Sequence, residues 1–199
     1  MVTKTLTKEL VQKLMEIKGE TRGVVFKTDA GFVLREKGKK GLQEVEEELK
    51  NIGYPIEYEK MEPMVFYPVG LRALSLIVVQ KVLNLSKEDI KRMGGLAPKA
   101  SFIIRLFVRY FLSVKKTAEK VSEIWERHYT AGKLSTQSHE EERYVILRLR
   151  DLTLHPLFCH YLEGYFSTIL IMVVKDPITS EETKCPFKGD KYHEYLLRW

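Results

Sequence analysis

The chain has 199 residues, 44% of them hydrophobic, and a formal net charge of +6. That length and composition support one domain with a substantial core, or one domain with a helical extension. The chain has two cysteines, which cannot make a disulfide framework, and no apolar stretch reaches the ~20 residues of a transmembrane helix. We therefore expect a cytoplasmic protein without a transmembrane segment.

The positive charge is concentrated in the middle of the chain, where residues 63–128 hold twelve basic and five acidic side chains. Such an excess suits nucleic acid, an anionic membrane surface or an acidic ligand. The basic residues are spread among apolar helix positions, and no nucleic-acid recognition motif accompanies them. We predict no nucleic-acid partner.

The first third of the chain is predicted to be helical. Leu6–Ile17 carries apolar residues at helical spacing, and Asp29–Glu36 and Lys40–Asn51 are predicted as two further helices. An irregular segment that contains Pro55 and Pro63 follows them.

We place the domain boundary in this irregular segment. The prediction is a helical N-terminal extension, residues 1–62, followed by an α+β ligand-binding domain, residues 63–199. The extension has more amphipathic helix than a compact core needs, so we expect it to form a homodimer.

Helices continue in the middle third. Pro68 is predicted to open a buried helix that ends at Leu83, and Ser86 to cap the next helix with Asp89 in an S-x-x-D capping pattern. Gly94-Gly95 is predicted to end that helix, and Pro98 to begin another that reaches Leu112.

The last third is predicted to be strand, strand, helix, strand, strand. These segments are Lys133–His139, Arg143–Asp151, Pro156–Val174, Ile178–Cys185 and Tyr192–Trp199. The fold class is therefore α+β, with a helical N-terminal layer and helices packed on an antiparallel sheet.

The final hairpin has two alternative registers. A two-residue Gly189-Asp190 loop pairs Cys185 with Glu194, whereas a three-residue loop sets Cys185 across from His193. We favour the longer loop, because it places Cys185 on the apolar, core-facing side with His193.

Two motifs in this region, C-x-Y-L-E-G-Y-F from residue 159 and E-E-T-K-C-x-x-x-G-D-x-Y-H from residue 181, resemble the 4-vinyl-reductase-type small-molecule-binding domain. That domain is related to haem nitric-oxide-binding domains and to the small subunits of the TRAPP vesicle-tethering complex. YPVGLRAL from residue 67 and RMGGLAP from residue 92 fit the same superfamily. The family usually has a second cysteine where this chain has His193.

The resemblance implies a cytoplasmic small-molecule-binding or sensory module with a mostly apolar pocket, and it leaves room for a protein signalling partner. We expect a binding module rather than an enzyme. One alternative is an enzyme or accessory factor that acts on tetrapyrrole vinyl groups. Another is an interaction scaffold that resembles the TRAPP subunits.

A cationic stripe marks the predicted ligand site. Arg105 and Arg109 lie four residues apart on a helix that is otherwise apolar. One interpretation is the solvent-facing stripe of a buried helix. The functional interpretation is a rim that holds the anionic end of an amphipathic ligand. The predicted ligand-binding residues are Phe102, Arg105, Leu106, Arg109, Cys159, Tyr161 and Tyr165.

Cys159, Cys185 and His193, with His155 or His160 as a fourth, are residue types that bind zinc. Their spacing lacks the paired ligands of known zinc motifs, so we favour two buried, apolar thiols. Metal binding and a thiol that contacts ligand remain alternatives.

Cofactor motifs are absent from the sequence. It has no G-x-G-x-x-G for a dinucleotide. The residues from Tyr110 to Ser113 do not reproduce the Y-x-S-x-R element of the haem-binding relatives. Neither haem nor zinc has a sequence motif to support it, and the cofactor is left open.

Overall fold

A computed structural model describes residues 6–100 and 113–199. Within these ranges the chain has six α-helices and six β-strands, and all strand pairs are antiparallel. The predicted α+β fold class is confirmed. The chain divides into two compact units, Met1–Leu85 and Ser86–Trp199.

The first unit combines three helices with a two-stranded ladder. Its elements are α1 (Lys8–Met15), β1 (Glu20–Arg22), α2 (Val24–Asn51), β2 (Phe66–Pro68) and α3 (Val69–Leu83), and β1 pairs with β2. The predicted helix from Pro68 to Leu83 is confirmed, with Pro68 at its N-cap.

The helix α2 differs from the two separate helices predicted at Asp29–Glu36 and Lys40–Asn51. It begins at Val24 and continues to Asn51, with one non-helical residue, Gly38, whose φ is 67°. Glycine adopts this left-handed conformation without the steric cost of a side chain. The two predicted helices are therefore two halves of one kinked helix.

The first unit extends to Leu85 because α3 packs against both α1 and α2. The contact with α1 is close, since a Cβ on Gly70 of α3 would lie 2.5 Å from the carbonyl oxygen of Leu14. A separate helical domain formed by residues 1–62 stays a prediction.

Four polar side chains are buried together between α2 and α3, and we call them the Asp29 cluster. Arg72 donates a hydrogen bond to Asp29 Oδ2, and Ser75 Oγ donates to the same oxygen at 2.7 Å. Tyr58 completes the cluster, with its hydroxyl 2.8 Å from Ser75 Oγ. All four residues are at most 1% exposed.

The second unit contains a four-stranded antiparallel sheet and three described helices. Its elements are α4 (Lys87–Ala100), α5 (Val114–Glu126), β3 (Lys133–His139), β4 (Tyr144–Arg150), α6 (Pro156–Val174), β5 (Thr179–Lys184) and β6 (His193–Arg198), with strand order β3-β4-β6-β5. The predicted strand, strand, helix, strand, strand order is confirmed.

The helix α4 continues through the predicted break at Gly94-Gly95, and that prediction is wrong. A Cβ on Gly94 would lie 1.9 Å from the Tyr161 carbonyl oxygen of α6, and one on Gly164 would lie 1.9 Å from the Lys91 carbonyl oxygen. The two glycines allow the backbones of α4 and α6 to come into contact. Each glycine costs roughly 0.5–1 kcal/mol of helix stability relative to alanine, and the packing of the two helices compensates for this cost. Pro98, predicted to begin a new helix, also lies within α4.

The helix α6 is the one described helix that is long and apolar enough, by length and composition, to cross a membrane. Half of the residues in its apolar 18-residue stretch are buried. It packs on α4 and contacts β5 and β6. These contacts cover its apolar surface on several sides, as in a core helix.

Candidate metal centre

The start of α6 places Cys159 in the core. His155 caps the helix by accepting a hydrogen bond from the Leu157 amide, and Pro156 occupies the first helical position. Cys159 follows one turn later and is 4% exposed. The Tyr195 hydroxyl donates to the Cys159 carbonyl oxygen at 3.4 Å and so ties this turn to β6.

The hairpin of β5 and β6 brings Cys185 and His193 to the same face. The last strand pair, Lys184 with Glu194, sets Cys185 across from His193, as predicted. Both side chains are buried, at 3% and 2% exposure. The connection spans residues 185–192 and is longer than the predicted three-residue loop, because it includes a 3₁₀ turn at Pro186–Lys188.

The loop is closed around the backbone of Cys185. The Cys185 amide donates to Asp190 Oδ2 at 2.8 Å, and the Cys185 carbonyl accepts from the amides of Lys188 and Asp190. Gly189, with φ of 99°, supplies the left-handed residue that the turn requires. The loop therefore fixes the backbone of Cys185.

Glu182 joins the two cysteines and the histidine through a β-bulge. The register of β5 on β6 shifts between Glu182 and Lys184. Residues three apart on a regular strand point to opposite faces, but one extra residue restores a common face. Glu182 and Cys185 therefore point to the same side of the hairpin.

The four side chains form one compact group, which we call the thiol cluster: Cys159, Glu182, Cys185 and His193. The two sulfur atoms are 3.8 Å apart, and Cys159 Sγ is 3.7 Å from His193 Nδ1. His193 Nδ1 is 3.0 Å from Glu182 Oε1. One ligand atom from each residue lies within 4.8 Å of the others.

Burial and neighbouring charge set the protonation of the cluster. Burial raises the pKa of the Cys159 thiol, and the Glu182 carboxylate adds to the effect. Burial also raises the pKa of Cys185. Burial opposes ionisation of Glu182, but hydrogen bonds from His193 and both thiols lower its pKa overall. Without a bound cation, the cluster holds two neutral thiols beside a carboxylate.

A buried carboxylate, Glu163, lies one turn beyond Cys159 on α6. Glu163 is 7% exposed, and its Oε1 is 3.0 Å from Lys91 Nζ of α4 and 3.2 Å from Ser180 Oγ. This pairing accounts for its charge. Glu163 therefore acts as a structural link between α4, α6 and β5.

The predicted ligand residues do not all share one surface. Phe102, Arg105, Leu106 and Arg109 lie outside the described residues. Cys159 belongs to the thiol cluster, whereas Tyr161 and Tyr165 lie on another face of α6 by helical spacing. Tyr165 packs against Ile124 and Ile169.

The fourth member of the thiol cluster is not a histidine. His155 caps α6, and His160 is half-buried outside the cluster. The fourth member is Glu182, which is not among the predicted site residues. Glu182 and Cys185 are three residues apart, and on a regular strand such residues lie on opposite faces. The alternation of residues in the sequence therefore could not indicate that these two side chains meet.

A small apolar cavity of about 40 Å³ lies between α5, α6 and the sheet. Residues from both helices and three strands line it, among them Val121, Val145, Leu147, Ile169, Leu170 and Leu197.

No protein-family profile and no curated protein match the sequence, but solved structures match its fold. An H-NOX protein from S. oneidensis in the Fe(II)NO ligation state is 14% identical, with a TM-score of 0.67 over 89% of this chain and 98% of its own. A mutant of an S. oneidensis H-NOX protein in the Fe(II) state is 14% identical, with a TM-score of 0.69 over 89% and 95% of the chains.

A third match is the NMR structure of an H-NOX domain from Shewanella oneidensis in the Fe(II)CO state. It is 15% identical, with a TM-score of 0.64 over 89% of this chain and 97% of its own. These similarities confirm an H-NOX-like fold. The finer relationship to 4-vinyl-reductase and TRAPP proteins stays a prediction.

Proposed function

We propose that this chain is a small-molecule-binding sensory domain. The observation that carries this proposal is the similarity of its fold, over 89% of its length, to H-NOX proteins recorded in gas-ligated Fe(II) states. The similarity favours a sensory domain over the enzyme and scaffold alternatives. The buried, protonated thiols also argue against a nucleophilic role for either cysteine.

The described lining of the apolar cavity does not fit haem, which the H-NOX family contains. Protein ligands to haem iron are histidine, cysteine, methionine or tyrosine. The cavity beside α5 and α6 has none of these among its lining residues, and at about 40 Å³ it is far smaller than the roughly 300 Å³ of small ligand sites. We therefore assign no step to haem.

The proposed ligand is hydrophobic or amphipathic. In this proposal Arg105 or Arg109 binds its anionic end, and Phe102, Leu106, Tyr161 and Tyr165 lie near its tail. The apolar cavity supports an apolar ligand by its chemistry, because no charged residue is among its described lining and an apolar group that entered it would be removed from water. At about 40 Å³ it has room only for the end of an apolar chain, and its described lining does not include Tyr161 or Tyr165.

Native mass spectrometry of freshly purified protein tests for a retained ligand, followed by titration with fatty acids, porphyrins and apolar dyes. Arg105→Ala or Arg109→Ala should weaken binding of an anionic ligand by about 10- to 150-fold, which corresponds to about 1.5–3 kcal/mol. No binding below about millimolar, or undiminished binding by both variants, would contradict the proposal.

A variant that fills the cavity, compared with a control variant outside it, adds a second test of the ligand site. Ala118 lines the cavity, and its neighbour Glu119 on α5 is exposed. Ala118→Leu should reduce binding of an apolar tail, whereas Glu119→Leu adds a similar side chain outside the cavity and should leave binding unchanged.

The proposal also includes homodimerisation, a protein signalling partner and a cytoplasmic location. Light scattering tests homodimerisation.

A further inference from the structure

We propose that a groove between α4 and α6, beside β5, binds a phosphate-type oxyanion. The groove has a volume of about 300 Å³, the lower end of the range for small-molecule sites. It shares no described lining residue with the apolar cavity beside α5, so this proposal is independent of the proposed apolar ligand. We call it the α4–α6 groove and define it by its polar lining residues: Lys91, Arg92, Lys99, Ser167, Thr168 and Ser180.

Two glycines leave part of the groove free of side chains. Gly95 of α4 and Gly164 of α6 both line it. A Cβ on Gly95 would lie 2.7 Å from Thr168 Oγ1 and 3.4 Å from the Gly164 carbonyl oxygen. The Thr168 hydroxyl therefore lies over Gly95, in a space that any other residue at position 95 would enter.

Thr168 supplies a buried donor to the α4–α6 groove. The residue is 8% exposed, and its hydroxyl forms no hydrogen bond with any residue that the structure describes. The hydroxyls of Ser167 and Ser180 differ, because they donate to the Glu163 carbonyl oxygen at 2.6 Å and to Glu163 Oε1 at 3.2 Å. A buried hydroxyl is costly without a partner, and an acceptor oxygen bound in the groove would satisfy Thr168.

The charge of the groove selects an anion. The described lining carries three cationic side chains and no acidic one. Lys99 of α4 is exposed and forms no ion pair with a residue that the structure describes. We therefore assign Lys99 the main charge contact with the anion, because its ammonium group is not offset by a carboxylate of the protein.

The other two cations of the groove are paired with carboxylates outside its described lining. Lys91 Nζ lies 3.0 Å from Glu163 Oε1 and 3.6 Å from Glu88 Oε1, and the Arg92 guanidinium lies 3.1 Å from Asp89 Oδ1. An ammonium group has three donors, so Lys91 can bind both carboxylates and a third acceptor. The carboxylates reduce the positive charge of the site, so we expect an affinity for inorganic phosphate of about 1 mM, not tight binding.

A phosphoryl group suits these donors better than a carboxylate does. It carries a charge of about −1.5 to −2 and three strong acceptor oxygens, enough for Lys99, Lys91 and Thr168 to donate to separate oxygens. Inorganic phosphate, a small phosphate ester and a phospholipid headgroup share this chemistry. The test therefore begins with inorganic phosphate and then separates the three sources.

The test is an amide NMR titration of the full chain with inorganic phosphate, against sodium chloride of matched ionic strength. We expect saturable shifts with phosphate and none with chloride. Lys99→Ala should weaken phosphate binding by about 10-fold, the low end for a charged hydrogen bond, because this lysine is exposed. Thr168→Val removes one neutral hydrogen bond and should weaken binding by about 2- to 10-fold.

Phenyl phosphate and vesicles that contain phosphatidic acid identify the source of the phosphoryl group. A site for a small phosphate ester predicts that phenyl phosphate displaces inorganic phosphate and that the protein does not sediment with the vesicles. A site for a lipid headgroup predicts sedimentation of wild type and loss of sedimentation in Lys99→Ala.

Two variants outside the groove serve as matched controls. Lys116→Ala removes an exposed lysine of α5, and Thr179→Val removes an exposed threonine of β5. Neither residue lines the groove, and both variants should bind phosphate as wild type does.

Three results would overturn the proposal: no saturable phosphate binding, equal losses in Lys99→Ala and Lys116→Ala, or a loss in Arg105→Ala alone. The last result would assign phosphate to the predicted ligand site instead. Circular dichroism checks folding, and the exposed Lys99→Ala decides the outcome if Thr168→Val disturbs the packing of α6.

Discussion

Each compact unit of this protein buries a polar cluster, and the two clusters differ in what they contain. The Asp29 cluster holds a carboxylate together with its own cation, Arg72, and two hydroxyl groups. The thiol cluster holds a carboxylate, two thiols and an imidazole. The first contains a carboxylate paired with an arginine, whereas among the described residues the carboxylate of the second forms no ion pair with a lysine or an arginine.

The difference separates a structural network from a ligand set. A buried charge must be paired, and Arg72 does this for Asp29 through a fixed hydrogen bond. In the part of the chain that the structure describes, the polar partners of Glu182 are a histidine and two weak thiol donors. The Asp29 cluster is therefore paired internally, whereas the thiol cluster is a group of potential metal ligands.

The largest expected effect is in the first unit. Arg72→Met removes the cation from Asp29, whose pKa burial already raises even beside Arg72. Breaking a buried pair by removing one partner costs about 3–5 kcal/mol. We expect this loss in the free energy of unfolding, measured with urea.

Two variants make that result specific. Arg35→Met removes an exposed arginine of α2 and should change stability by less than about 0.5 kcal/mol. The double variant Asp29→Leu/Arg72→Met removes both charges and should recover much of the loss. If Arg72→Met and Arg35→Met have equal effects, the Asp29 cluster is not an essential pair.

The next effect concerns the second unit. Free Zn²⁺ at 100 times its dissociation constant should stabilise wild-type protein by about 2.7 kcal/mol, since an ion that binds only the folded state adds RT ln(1 + [L]/Kd). Cys185→Ser should lose this increment, and Arg72→Met should keep it. A zinc increment that is equal in wild type and Cys185→Ser would place the ion elsewhere.

Local chemistry in the sequence predicted much of the fold. Pro156 at the start of α6, the Ser86 and Asp89 capping pattern, and the alternating residues of β4 all led to the observed elements. Each of these features acts within a few residues, so its physical cause is visible in the sequence. The same is true of Cys185 and His193, whose shared face follows from hairpin register.

Features that depend on distant contacts were not predicted. Gly94 is a helix breaker by local propensity, but it lies against the Tyr161 carbonyl, and this contact decides its role. Glu182 enters the thiol cluster only because a bulge reverses its facing. Both cysteines are buried, as predicted. The spacing of the cysteines and histidines lacks the paired ligands of known zinc motifs, and for that reason the sequence favoured apolar thiols over a metal site.

The smallest effect is a pH dependence that distinguishes the ionised Glu182 from a merely buried polar residue. Its pKa is lowered in the folded protein, although burial alone would raise it. A lowered carboxyl pKa contributes stability above the unfolded value, about 4.3, and this contribution is lost as pH falls through the folded pKa. In metal-free protein the urea midpoints of wild type and Glu182→Gln should therefore converge between about pH 5 and pH 3. Glu181→Gln is the charge-matched control for loss of one carboxylate. If the difference between wild type and Glu182→Gln is constant over this range, the ionised carboxylate does not accept the hydrogen bonds of the cluster.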